Sequence, residues 1–459
     1  DKSTFMIFTR RRVANIPSVT IYDSPVRIKT QHRYLGLILD APLLTWKPHI
    51  DQLVLSCTSR LNLLKCLAGS SWGCSRRLLN MFYLAYIRSK IDYGAAVYGS
   101  ASRTLLNKLT IVQSSAFRIV AGAWKSTPIA ALNTEIGILP LEFRHKLQVS
   151  LSYLKCLQHP VSHPLHSLPN VITYPEELPN KNHHKVPFHQ RAQRELFSLG
   201  VSENHSFPAP PCLPVPPWED MRSVIWTNLI KPVSKKSSAV TIKQIALATI
   251  NERYEHSQLI FTDGSKGPVN GEMRAASAIV VPCLSHCSSW RLDKQHSVIS
   301  SELFAILQAL RWILSSQGTS FTILTDSLTG LNLLKNPEKS SYHYLISKIQ
   351  QAYLSTIRKK VKLFLQWVPS HVGLTGNESA DAEAKVALKL DVITEFPLSV
   401  SEQRSLLQKQ AIKLWQTQWN SCKGNLHIGN IKYCVESWPW ANYKCRRYEV
   451  LLAQMSPQD

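Results

Sequence analysis

Four carboxylates in the second half of the chain stand at positions where they could meet. Asp263 follows the apolar run "QLIFT" and Asp326 follows the run "SFTILT", so each is expected to end a strand. Glu302 lies near the start of a strongly apolar helical segment, and Asp381 lies early in the last helical segment. Ligands gather beyond the carboxyl ends of strands in open α/β sheets, and neighbouring strands lie about 4.8 Å apart. We therefore expect the two aspartates to face each other.

Carboxylates placed this close together indicate a site for hard divalent cations. Like charges raise each other's pKa unless a cation lies between them, and oxygen ligands without Cys or His suit Mg²⁺ or Mn²⁺. Two such ions, about 3.5–4 Å apart, could hold a phosphodiester, activate a water and stabilise the leaving oxygen. His371 lies on a glycine-flanked loop before the last helix, where a mobile imidazole could move a proton.

Each of these residues also has an ordinary explanation. A strand-end aspartate such as Asp326 often forms a turn or caps a helix, and Glu302 could simply favour the helix dipole. Asp381 could be a solvated helix charge, and His371 could be structural. Their joint occurrence in one strand–helix order favours a site. We predict a catalytic set that consists of the four metal-binding carboxylates and the histidine: Asp263, Glu302, Asp326, Asp381 and His371.

The elements that would position this set alternate in a regular way from about residue 255. Three strands close enough to form hairpins come first, followed by a helix, a strand, helices, a strand and a final helix. The corresponding segments are "QLIFTDGSK", "RAASAIVV", "SSWRLDKQHS", "ISSELFAILQALRWILSS", "SFTILTDS", "SLTGLNLL", "YHYLISKIQQAYLSTI", "KVKLFLQWVPSH" and "NESADAEAKVALKL". This pattern predicts an α/β fold with a mixed five-stranded sheet and flanking helices.

The motifs "FTDGSK", "SELFAI", "LTDS" and "WVPSHVGLTGNESAD" together resemble a type 1 ribonuclease H domain, over residues 254–390. The resemblance implies a ribonuclease H-like sheet and Mg²⁺-dependent endonucleolytic cutting of the RNA strand of an RNA–DNA hybrid. It assigns the four carboxylate positions to Asp263, Glu302, Asp326 and Asp381, and the loop histidine to His371. Asn377 and Glu378, in the "GNESAD" turn, are expected to fix the last helix and receive no catalytic role.

Residues 1–150 carry mixed and mostly helical patterns. The segments "STFMIFTRR", "RYLGLILDAPLLTWKPHI", "IDYGAAVYGSAS" and "STPIAALNTEIGILPL" resemble the region after the catalytic palm core of a non-LTR, jockey-like retrotransposon reverse transcriptase. The resemblance implies a palm end and a thumb or connection region. A Tyr/Phe-x-Asp-Asp turn does not occur in the sequence, so we expect no polymerase activity. The start at Asp1 suggests a piece of a longer reading frame.

Charge indicates the partner. Lys and Arg number 53 against 30 Asp and Glu in 459 residues, a formal net charge of +23. This excess favours nucleic acid as the partner, and the resemblance makes it an RNA–DNA hybrid. Protein partners are not predicted. Five cations are candidate phosphate contacts, with a solvated edge as the alternative: Lys266, Arg358, Lys359, Lys360 and Lys362.

Cysteine spacing and hydropathy bear on the compartment. The ten cysteines include no C-x-x-C pair, which predicts a reducing, intracellular location, and the retroelement resemblance implies the nucleus. We see no apolar run of about 18 residues that predicts a membrane span.

The remaining regions are expected to connect and extend these parts. Residues 151–253 read as a connection and linker because "FPAPPCLPVPPW" is proline-dense. His159, His163 and His166 read as loop residues rather than metal ligands. Residues 391–459 form a basic tail that we expect to be truncated. Its tryptophans are expected to be core residues of a small helical subdomain rather than base-stacking groups: Trp415, Trp419, Trp438 and Trp440.

Two other functional classes remain open. A non-catalytic, nucleic-acid-binding relic of a retroelement would share the fold without turnover. A DDE-type transposase or integrase uses a similar sheet with three carboxylates. The helix glutamate after three hairpin strands and the "HVGLTGNESAD" loop favour the ribonuclease over the transposase.

Overall fold

A computed structural model describes residues 3–9, 18–69, 71–157, 164, 186–201, 221–232, 237–337, 340–438 and 445–455. The chain divides into two compact units. We call the first the helical unit, from Asp1–Tyr153, Leu168–Glu203 and Leu407–Asp459, and the second the sheet unit, from Leu154–Ser167 and Asn204–Leu406. The predicted histidine loop (His159, His163 and His166), the proline-dense stretch 207–218 and Trp440 lie outside the described residues.

The strands are numbered along the chain. They are β1 (Thr20–Ile21), β2 (Ser24–Pro25), β3 (Gln31–Tyr34), β4 (Leu37–Asp40), β5 (Ile225–Trp226), β6 (Gln258–Val269), β7 (Glu272–Val281), β8 (His286–Leu292), β9 (Ser320–Thr325) and β10 (Lys362–Trp367).

The α-helices are numbered in the same way. They are α1 (Lys47–Leu67), α2 (Arg76–Phe82), α3 (Ser89–Asp92), α4 (Ala95–Tyr98), α5 (Arg103–Ala121), α6 (Ile129–Ile136), α7 (Leu141–Leu157), α8 (Phe188–Ser198), α9 (Ala239–Tyr254), α10 (Val298–Ser315), α11 (Leu328–Lys335), α12 (His343–Arg358), α13 (Thr375–Ala387), α14 (Val400–Cys422) and α15 (Arg446–Met455). A π-helix, Tyr83–Arg88, continues α2.

The sheet unit is built on a six-stranded mixed sheet of order β5-β10-β9-β6-β7-β8. The hairpin strands β6, β7 and β8 pair antiparallel, and β9 pairs parallel with both β6 and β10. This arrangement confirms the predicted α/β class. The sheet has one strand more than the predicted five, because the two-residue β5 pairs parallel with β10 at the edge.

Helix α10 forms the centre of the sheet unit. Ser297 caps its first turn by accepting a hydrogen bond from the Ser300 backbone N–H. Its apolar residues pack against the sheet in one core; Ile306, Leu310 and Ile313 are almost fully buried there. The expectation that no segment is long and apolar enough to span a membrane was wrong, since within the described residues α10 passes that test by length and composition. Its burial in this core accounts for that composition.

The segment before β6 is ordered where it is described, although its sequence reads as a linker. Ala246 and Ile250 of α9 pack with Phe261 and Val368. The hydroxyl of the next residue in this face, Tyr254, donates to Gln366 Oε1 at 2.9 Å. Helix α9 therefore belongs to the sheet unit, which the regions predicted from sequence did not anticipate.

The helical unit has its own apolar core, which includes Ile50, Leu64, Phe117 and Leu132. It confirms the predicted mostly helical character of the first part of the chain. In the tail, Trp415 and Trp419 are buried at 5% and 1% exposure. They are core residues, as predicted, and are not available to stack on bases. The functional boundaries at 150, 253 and 390 stay predictions.

Candidate active site

Strand register places the first two predicted ligands side by side. In the parallel pair β6–β9, Thr262 lies opposite Thr325, and an aspartate follows each threonine. The prediction that Asp263 ends its strand was wrong, because β6 continues to Val269 in its hairpin with β7. It lies where the pairing with β9 stops, so the two carboxylates still meet at the carboxyl end of that pairing.

Glu302 reaches the same point because α10 approaches β6 very closely. A Cβ added at Gly264 would lie 2.4 Å from the Glu302 backbone nitrogen and 2.7 Å from the Ser301 carbonyl carbon. The Ser277 hydroxyl of β7 donates to the Ser301 carbonyl oxygen at 2.7 Å. Glycine at 264 is therefore required for this approach, which explains the "DG" step of the first motif.

Three of the four predicted carboxylates come together. Ligand oxygens of Asp263, Glu302 and Asp326 all lie within 4.8 Å of one another. Asp263 and Glu302 are each 6% exposed. Asp381 is outside this group of three. On α13 its Oδ2 lies 2.7 Å from Lys385 Nζ, one helical turn further along.

Burial and mutual repulsion disfavour ionisation of the cluster. Burial, with the charges of Asp326 and Asp381, raises the pKa of Asp263 to about 7. Burial and the charges of Asp263 and Asp326 raise the pKa of Glu302 well above its ordinary range. Burial also raises the pKa of Asp326. Asp381 contributes to each of these shifts, so its charge acts on the cluster although it lies outside the closest group.

The loop and helix that follow β10 complete the surroundings of Asp326. His371 is exposed, has a left-handed backbone with φ 53°, and its charge lowers the pKa of Asp326. Asn377 is 4% exposed, and its Nδ2 donates to Asp326 Oδ2 at 3.4 Å. A Cβ at Gly376 would lie 2.3 Å from the Phe261 ring, so glycine there lets α13 pack against β6.

Two contacts of the site were not anticipated from the sequence. Asn377 was predicted only to fix its helix, yet its side-chain amide also donates to the Asp326 carboxylate. Lys243 of α9 lies near the loop after His371, because a Cβ at Gly373 would meet Lys243 Nζ at 3.3 Å. A lysine 20 residues before Asp263, in a segment that reads as linker, gives no signal in the sequence.

The five predicted phosphate contacts are not gathered at the carboxylates. Lys362 begins β10 at the end of the sheet opposite Asp326, since β9 and β10 run parallel. A six-residue strand spans about 20 Å, so Arg358, Lys359 and Lys360 are also remote from the site. Lys266 Nζ donates to the Lys294 carbonyl at 3.1 Å and to the His296 carbonyl, which gives it a structural role.

The carboxylate cluster suits a divalent cation. Its members offer oxygen ligands alone, which hard cations such as Mg²⁺ and Mn²⁺ prefer. Glu302 Oε2 is buried and has no hydrogen-bond partner among the described residues. A buried carboxylate oxygen without a donor is costly unless it is neutralised, and a bound cation would supply that partner.

The sheet order, the hairpin strands and the carboxylates at the carboxyl end of the β6–β9 pair fit a ribonuclease H-like α/β fold. Residues 255–389 match the family model described as RNase H, and this part of the chain is a ribonuclease H domain. The chain is also 32% identical over 111 residues to the RNA-directed DNA polymerase from mobile element jockey of Drosophila funebris. That alignment covers 24% of this chain and 12% of the fly protein.

Proposed function

We propose that the ribonuclease H domain catalyses metal-dependent endonucleolytic hydrolysis of the RNA strand of RNA–DNA hybrids, within a retrotransposon polyprotein. The observation that supports this activity most directly is the group of three carboxylates within 4.8 Å, in a domain of the RNase H family. The similarity to a jockey polymerase supports the polyprotein context. The net charge of +23 supports a nucleic-acid substrate.

The residues of the site have distinct roles in this proposal. Asp263, Glu302 and Asp326 would hold the cations, with Asp381 adding charge and a further oxygen ligand. A divalent cation there supplies Lewis-acid polarisation of the phosphodiester and neutralises developing charge. Asn377 orients Asp326 through its amide hydrogen bond. His371, exposed on its loop beside Asp326, exchanges a proton with the product side.

Hybrid binding would rest on backbone phosphates and helix shape more than on sequence. Lys243 is the proposed phosphate contact nearest the site, since its side chain lies against the loop that follows His371. Binding through phosphates weakens steeply as salt is added, because each contact releases a counterion. An affinity for the hybrid that stays constant between 50 mM and 200 mM salt, an interval of about fourfold, would contradict this mode.

The test is cleavage of a labelled RNA strand annealed to DNA by the full chain with Mg²⁺. Asp263→Asn removes a proposed ligand, and Asp391→Asn, an exposed aspartate outside the cluster, is the matched control. We expect the parent and Asp391→Asn to cut the RNA, and Asp263→Asn to lose at least about 1000-fold in rate, by analogy with losses on removing other catalytic groups.

Three results would redirect the assignment. Tight hybrid binding by a folded parent that does not cut would leave the non-catalytic relic as the better description. Equal cutting by the parent and Asp263→Asn would show that the activity comes from elsewhere or from a contaminant. Cutting of duplex DNA but not of the hybrid would favour the transposase class.

A further inference from the structure

The chain that follows the ribonuclease H match returns to the N-terminal end of α10. We call residues 391–402 the C-terminal strap. The Thr394 backbone N–H donates to the Arg291 carbonyl of β8 at 2.7 Å. The Phe396 ring lies 5.1 Å from the Phe304 ring of α10. The backbone carbonyl oxygen of Phe396 lies 3.1 Å from His296 Nε2. The strap therefore contacts the sheet unit at Thr394 and Phe396.

The strap ends in a capping box that starts α14. Ser399 Oγ accepts from the Glu402 backbone N–H at 3.2 Å, and Glu402 Oε2 accepts from the Ser399 N–H at 2.7 Å. These reciprocal bonds are the S-x-x-E pattern that begins many helices. They use only one of the two carboxylate oxygens of Glu402, which is 5% exposed.

The other oxygen of the same carboxylate caps α10. Glu402 Oε1 accepts from the backbone N–H of Ser297, the N-cap residue of that helix. In a capping box the residue three positions after the cap supplies this acceptor, but that residue in α10 is Ser300, whose side chain is too short for the role. Glu402, 105 residues further along the chain, replaces it.

We propose that Glu402 is a positioning residue for Glu302: by fixing the first turn of α10 from the strap, it holds the Glu302 carboxylate against Asp263 and Asp326. This inference rests on the proposed function. Glu302 lies one turn beyond the position that Glu402 caps, and the close approach of α10 to β6 at Gly264 leaves little room for a displaced helix start. A loosened first turn would move Glu302 out of the ligand group.

The carboxylate of Glu402 is charged at neutral pH. Burial raises the pKa of Glu402, but the neighbouring His296 and the backbone N–H of Ser297 lower it further, so that it lies at about 2. His296 is fully buried, with Nδ1 at 3.6 Å from Glu402 Oε2. The carboxylate is thus a fixed negative charge at the N-terminus of α10, where it also complements the helix dipole.

The test compares Glu402→Gln with Glu395→Gln, which removes an exposed strap charge, in the full chain. Mn²⁺ binding is measured by calorimetry, hybrid binding is measured without metal, and cleavage is measured with Mg²⁺. Removing a residue that orients a metal ligand costs about 10–100-fold in affinity or activity. We expect about tenfold weaker Mn²⁺ binding and a lower kcat for Glu402→Gln, with metal-free hybrid binding unchanged. Glu395→Gln should match the parent in all three.

The outcomes separate this inference from the proposed function. The Mn²⁺ binding that Asp263→Asn loses is the binding that belongs to the carboxylate cluster. If the parent binds Mn²⁺ there but cuts no RNA, the proposed activity is refuted. The Mn²⁺ affinity of Glu402→Gln would still test the role of Glu402. Equal Mn²⁺ affinity in Glu402→Gln and the parent overturns the inference, and so does an equal loss in Glu395→Gln. If Glu402→Gln does not fold, Glu402→Asp, which keeps the charge but shortens its reach, takes its place with the same expectation.

Discussion

Replacing Asp263 by Asn should stabilise the metal-free sheet unit while it abolishes metal binding. The pKa of Asp263 is about 7, against an ordinary 3.8. At about 1.4 kcal/mol per pH unit, ionising this buried carboxylate in the folded protein costs about 4 kcal/mol. Asn keeps the shape without the charge, so Asp263→Asn should recover up to about that amount of unfolding free energy at pH 8.

The sign of the effect changes the pH dependence in a defined way. The folded state binds the Asp263 proton more tightly than the unfolded state, so the parent loses stability as pH rises above about 4, and the loss is complete just above pH 7. The advantage of Asp263→Asn should therefore be absent near pH 4 and full at pH 8. Mg²⁺ should narrow the difference at pH 8, because a ligand at 100 times its Kd stabilises the folded parent by about 2.7 kcal/mol.

The assay must report on the sheet unit alone, because a chain of two units does not unfold in one transition. Urea titrations with EDTA, followed by a hydrogen-exchange pulse at one fixed pH, would be read on peptides from Gln258–Val269. Two results would refute this reasoning: an Asp263→Asn variant no more stable than the parent at pH 8, or a stability difference that is the same at pH 4 and pH 8. Either would show that the buried Asp263 charge does not destabilise the metal-free folded state.

Three further predictions concern the same site. Gly264→Ala should lower the free energy of unfolding by about 1–3 kcal/mol through overpacking and abolish cleavage. The control Gly267→Ala, whose Cβ meets only Leu388 at 3.5 Å, should do neither. Urea titration and the hybrid cleavage assay check both variants, and an active Gly264→Ala would contradict the close approach of α10 to β6. Lys385→Met should tighten Mn²⁺ binding about twofold, because Lys385 pairs with Asp381 and a helical ion pair contributes about 0.3–0.5 kcal/mol. Exposed Lys389→Met is the control. Weaker Mn²⁺ binding by Lys385→Met would instead show that Lys385 supports the site. Mn²⁺ binding should weaken by up to about tenfold per pH unit below the pKa of Asp263, because metal and proton compete; calorimetry that gives one affinity at pH 6 and pH 8 would exclude this competition.

The order of strands and helices in the sheet unit could be predicted because each segment has a characteristic length and spacing of apolar residues. The runs that became β6, β9 and β10 are short and apolar between polar turns, and α10 is too long and too evenly apolar to be a strand. The strand-end positions of two aspartates then implied that they meet. The register Thr262–Thr325 realises that expectation.

The remainder depends on contacts that no local pattern encodes. Strand β5 is two residues long, too short to show alternation, and exists because β10 offers a free edge. The 2.7 Å pairing of Asp381 with Lys385 looks like any surface pair on a helix. The bond from Ser297 to Glu402 joins residues 105 positions apart, so the role of Glu402 appears only after the chain has folded.

The apolarity of α10 has a consequence for synthesis of the protein. The helix leaves the ribosome before β9 and β10, two of the strands that bury it. Until residue 367 has emerged, the nascent chain exposes an 18-residue segment with the length and composition of a membrane span. Glu302, one of its two charged residues, therefore lies within a stretch of the nascent chain that is prone to aggregation or to capture by a chaperone.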